Sequence, residues 1–149
     1  MADEFDFDDE AKSVTFSGQR LHLLLGLIQR AKFGDRHDKL LLLNDWLANL
    51  SLRIVGALGL QGRTPHVDVA DEITIFDADL VLAVRDAIIA EGATIGWWTK
   101  TVEERRRYLR EVVAAPVGMT DRDVERIEDA IEGWILHARR ALAAIDAGN

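Results

Sequence analysis

The chain has 149 residues, 48% of them apolar and 30% charged, with no cysteine and a formal net charge of −8; this is the balance of one folded domain and excludes a disordered chain, a disulfide scaffold and a thiolate metal site. Residues 1–10 hold Asp3, Glu4, Asp6, Asp8, Asp9 and Glu10, leaving 20 acidic groups against 18 Lys and Arg in the remainder, so the body is close to neutral. A body without basic excess argues against a duplex nucleic-acid partner held by phosphate contacts.

The opening stretch, MADEFDFDDE, sets Phe5 and Phe7 among carboxylates. A solvated spacer gains nothing from aromatic rings. Rings that enter apolar pockets, with carboxylates that pair with a basic rim, suit a docking segment. Residues 1–12 are therefore read as an acidic tail that docks either on a partner or on its own domain, and residues 13–149 as a single helical domain. An acidic start is unlike a secretory signal, and Asn44, Asp45, Asn49 and Arg53 interrupt the most apolar stretch. No membrane span is expected, and the expected location is cytoplasmic.

Ser17 is placed to cap a first helix in which Leu21, Leu24, Leu25, Ile28 and Ala31 recur at steps of three and four, and Gly34 ends it. Asp35 can cap a second helix reaching Gly62, with Leu43, Leu47, Leu50, Ile54 and Ala57 in one line, thickened by Leu42, Trp46, Leu52 and Val55. So wide an apolar surface predicts the central helix. Near residues 61–76, Gly62 and Pro65 break the period, and alternating Val67, Val69, Ile73 and Ile75 predict a short non-helical insert, in β-hairpin or irregular form.

Asp77 opens a third helix ended by Gly92, with Leu80, Val84, Ala87 and Ile88 inward. Thr101 and Glu104 form a capping box for a fourth, stopped by Pro116. Thr120 and Asp123 open the last, where Val124, Ile127, Ile131, Trp134, Ala138, Ala141 and Ile145 keep a strict heptad spacing. Acidic residues crowd its start and Arg139 and Arg140 lie near its end, which suits the helix dipole. The predicted architecture is an all-α bundle of about five helices.

Chemistry is sparse. No serine elbow or phosphate-cradling glycine loop is present. His66 and Asp68, two apart on a strand, are a weak metal pair; a polar turn accounts for them as well. Arg30 and His37, separated by six residues, resemble the active motif of HEPN-type ribonucleases, in which Arg and His handle phosphate and 2′-hydroxyl. That resemblance covers these two residues alone and implies an enzymatic alternative. Trp97 and Trp98 precede a helix rich in Arg and Glu, whose charges pair within the helix. Adjacent indoles cannot both enter one core from a regular helix, and an exposed Trp is typical of protein interfaces.

These features lead to the expectation of a non-enzymatic interaction or assembly protein, without a cofactor, acting as a small subunit or adaptor of a larger complex. Its partner is another protein or a second copy, and the expected contacts are Phe5, Phe7, Trp97 and Trp98. The 14 Arg against 4 Lys suggest a bacterial or phage source. A third reading is an acidic mimic of nucleic acid built on the tail.

Overall fold

The computed structural model describes residues 5–8, 13–34, 39–59 and 76–148, with side-chain surroundings for 16–34, 41–59 and 76–148. The chain folds as an all-α bundle, as the periodicity predicts. A short antiparallel pair precedes the helices: β1 (Phe5–Asp8) runs against β2 (Ser13–Phe16), with Phe5 opposite Phe16 and Phe7 opposite Val14. The backbone of the acidic stretch thus pairs with its own chain, across the boundary that charge alone draws between tail and domain. The predicted insert at 61–76 lies outside the described residues except for Phe76, which is buried edge-on against Phe33.

Helix α1 (Gly18–Phe33) begins at Ser17, whose side chain accepts from the Arg20 N–H, and ends at Gly34. The predicted long second helix is two. Asn44, in extended conformation, accepts from the Leu47 N–H with its side chain, and this cap separates α2 (Lys39–Leu42) from α3 (Asp45–Ala57). The expected central role is also corrected. On α3, Ala48, Ser51, Ile54 and Val55 are buried, while Trp46 and Leu52 are exposed. The centre is α4 (Ala78–Glu91), where Leu80, Val84, Ala87 and Ile88 are fully enclosed. Leu80, Val84 and Ile88 each contribute roughly 1.5–3 kcal/mol of transfer free energy.

Helix α5 (Val102–Tyr108) starts with the predicted capping box, in which Thr101 and Glu104 exchange bonds. It widens into a π turn over Leu109–Val113, closed by the Ala114 N–H donating to the Leu109 carbonyl. The Thr120–Asp123 box then opens α6 (Asp121–Ala147). The core forms two clusters. One joins α4, the π turn and the first half of α6 with Leu42, Phe76 and Trp97; the other joins Leu25 and Ile28 of α1 to Ile54 and Val55 of α3.

Lys32 of α1 reaches between the two. It is fully buried, and its Nζ donates to the carbonyls of Val112 (2.8 Å) and Ala115 (2.6 Å), at the end of the π turn. Tyr108 makes a second tie, its hydroxyl donating to the Leu43 carbonyl at 3.0 Å. Arg126 of α6 makes a third, donating to the Phe76 carbonyl at 2.6 Å.

Burial lowers the Lys32 pKa to about 7 and, with a smaller push from the Asp45 charge, raises that of Tyr108 to about 12. From pH about 7 to about 10 the unfolded lysine carries a proton that the folded one lacks, so stability rises with pH across that window. From about 10 to about 12 the folded tyrosine holds a proton that the unfolded one has lost, so stability falls again. Thermal unfolding followed between pH 6 and 11 should show a maximum near pH 10. Lys32→Met should flatten the rise between pH 7 and 10, while leaving two carbonyls without a donor at a cost of roughly 1–3 kcal/mol.

Candidate docking groove on α6

The corner between α4 and α5 is shaped by two glycines. Gly96 adopts φ 69°, a left-handed conformation that costs glycine nothing, and turns the chain into a single 3-10 turn at Trp97–Thr99. Gly92 ends α4, and its carbonyl accepts from the Trp97 N–H at 2.8 Å. On this turn the two indoles separate. Trp97 is 2% exposed and packs edge-on against Tyr108, with ring centroids 6.2 Å apart, while the Arg105 guanidinium lies 5.5 Å from its ring and donates to its carbonyl. Trp98 is 43% exposed. Of the two indoles expected as contacts, Trp97 is therefore a core residue, and Trp98 alone is open to solvent.

Trp98 edges a groove of about 280 Å³ between the start of α5 and the middle of α6. Val102, Ile131 and Ile135 line it with the two indoles, and Arg105, Arg106, Glu128 and Glu132 form its polar margin. Arg106 grips Glu128 through two bonds of 2.8 and 3.0 Å, which raises the already high pKa of the guanidinium. That clamp ties α5 to α6 and fixes one wall of the groove.

Beyond the groove the heptad line of α6 leaves the core. On the line, Val124, Ile127 and Ile131 are buried in the bundle, Ala138 is half-buried, and Trp134, Ala141 and Ile145 are exposed, Ile145 at 62%; beside it Ile135 is half-buried and Leu142 exposed. One apolar line thus packs inside at its start and faces solvent at its end.

The remaining predicted positions fall elsewhere. Phe5 and Phe7 lie on β1. Arg30 is exposed on α1, away from the α6 groove. His37, His66 and Asp68, which belong to the ribonuclease-like pair and the metal pair, lie outside the described residues. Among the described residues no group of three or more acidic or histidine side chains could hold a metal ion. No described helix is long and apolar enough to cross a membrane. No family model, curated protein or solved structure matches this chain.

Sequence reasoning missed Val102 and Ile135 as groove walls. Ile135 directly follows Trp134 on the heptad line, and a second apolar residue beside the seam was the available signal.

The packing of Trp98 depends on the missing side chain at Gly92: a Cβ there would lie 2.5 Å from Trp98 Nε1 and 2.7 Å from the Ile88 carbonyl oxygen. Gly92→Ala should cost roughly 1–3 kcal/mol and push the indole outward. In a double-mutant cycle measured by denaturant unfolding, that cost should shrink in a Trp98→Ala background.

Proposed function

We propose that this protein acts as a non-enzymatic interaction or assembly subunit, docking another polypeptide along the Trp98 groove and the outer half of α6. The observation that carries this reading is the heptad line of α6. An apolar seam that continues past the end of its own core has the periodicity a partner helix needs, and such helix-in-groove contacts are read as anchors three and four residues apart. Trp98 and Trp134 supply the aromatic surface enriched among residues that dominate binding energy. The mixed charges beside the groove, Arg105, Arg106, Glu128 and Glu132, form a polar margin around an apolar centre, as interface rims do. The small-subunit or adaptor role in a bacterial or phage complex, and the contribution of Phe5 and Phe7 as a second contact, belong to the same proposal.

The test uses full-length protein as bait in its native cells, beside a Trp98→Ser/Trp134→Ser double variant and a chain lacking residues 1–10. Circular dichroism of the double variant should keep the helical content of the parent, so that a loss of recovery reports on the surface and not on the fold. Quantitative mass spectrometry should find the recovered partner reduced at least about tenfold by the double variant, the effect of losing roughly 1.4 kcal/mol of binding. Equal recovery by parent and double variant, together with a monomeric parent in sedimentation, would remove the groove and seam as the docking surface. Equal recovery by the truncated chain would remove Phe5 and Phe7 from it.

A further inference from the structure

A second concave surface lies on α1, apart from the α6 groove and independent of the function proposed for it. We propose that this cleft binds an amphipathic carboxylate, its apolar body lying over Gly26 and an oxygen of its head group accepting from the Gln29 side chain.

Three observations meet there. The cleft measures about 610 Å³, within the roughly 300–1,000 Å³ of small-molecule sites, and Leu23, Leu27, Phe33 and Val117 give it apolar walls. Leu23 and Leu27 are exposed although they are large and apolar, which the packing of the bundle does not require.

Gly26 is the second observation. It stands in the interior of α1, where glycine costs about 1 kcal/mol relative to alanine. It is not among the glycines with positive φ, and a Cβ added to it would meet no described atom within 4 Å. Among the described residues neither backbone geometry nor packing calls for a glycine. A molecule lying across the helix does, because the absent side chain leaves the cleft floor open.

Gln29 is the third. It lines the cleft, is only 6% exposed, and its Nε2 is buried with no acceptor among the described residues. A buried donor left so costs roughly 1–3 kcal/mol, and a turn of the Gln29 amide toward the cleft would bring it a ligand oxygen as acceptor.

The charge of the ligand follows from the margin. Arg30 adjoins Gln29 in sequence, His22 lies two turns earlier, and no carboxylate lines the cleft among the described residues. A donor-rich, acid-free margin over apolar walls selects an anion with an alkyl or aryl body. From residue 22 to residue 34 the helix rises roughly 18 Å, the reach of an extended medium-length chain.

Sodium decanoate, kept below its micellar concentration, is a suitable probe, with 1-decanol as the uncharged control. Amide chemical shifts of the full-length protein should move saturably at residues 22–34 and Val117, with decanol binding at least about tenfold more weakly. Gly26→Phe should fill the cleft and abolish the decanoate shifts without lowering the melting temperature. Gln29→Leu should weaken decanoate about tenfold while leaving the fold as stable as the parent or more so, since the lone donor is gone.

Absence of saturable shifts on α1, or shifts spread equally over Trp98 and α6 as by a detergent, would overturn the site. Unchanged binding in Gly26→Phe, or in Gln29→Leu should the phenylalanine variant fail to fold, would overturn it as well. Equal affinity for decanol would overturn its selectivity for an anion.

Discussion

The bundle depends on one lysine amine placed where lysines are rarely tolerated. A π turn followed by a proline leaves carbonyls at its end that no next helical turn can satisfy. Lys32 supplies two of the missing donors, to Val112 and Ala115, from a helix that belongs to the other core cluster. Its four-carbon stem crosses the apolar space between the clusters and lies near Phe33, whose ring centroid is 5.3 Å from Nζ. Burial costs the ammonium its hydration, and the two carbonyls offset part of that loss. The result is a polar tie between α1 and the segment on which α4 and α6 are packed.

That tie explains the order of the remaining parts. With α1 docked through Lys32 and Phe33, residues 109–117 form the floor against which α4 and the first half of α6 bury their apolar lines. The clamp of Arg106 on Glu128 and the reach of Arg126 to the Phe76 carbonyl then fix the rotation of α6 about its axis. Once the rotation is fixed at the buried half, the outer half must present the same face. The position of Trp134, Leu142 and Ile145 is therefore set by contacts made several turns away.

Local signals were legible in the sequence, and tertiary ones less so. The Thr101–Glu104 capping box, the start of α6 at Thr120, the glycine stops after α1 and α4 and the heptad line of α6 are legible from spacing alone, because each is decided by residues within one or two turns. The break at Asn44 was legible in principle. It was outweighed by an apolar line that runs unbroken through the break, since α2 and α3 each bury part of it. Lys32 was not legible, since its burial is decided by carbonyls some eighty positions away. The same holds for the indoles: their adjacency required that they separate, but which one enters the core was settled by Tyr108 and Arg105. Of the docking groove, Trp98 and the heptad seam were visible beforehand. Its walls were not, because they come from two helices whose approach no local pattern encodes.

The outer half of α6 is the part that folding alone does not account for. Helix formation is limited by nucleation, and the anchored first half, with its capping box and acidic first turn, has already met that cost. Propagation through residues 134–147 then needs only good helix formers, and Ala138, Ala141, Ala143, Ala144 and Ala147 with Arg139 and Arg140 already supply them. Trp134, Leu142 and Ile145 add little to propagation; Trp and Ile are poorer helix formers than the alanines beside them. Left in water they lower solubility and gain no burial. Their registry with Val124, Ile127 and Ile131 is what a surface needs if its burial is to be completed by a second polypeptide rather than by the bundle that carries it.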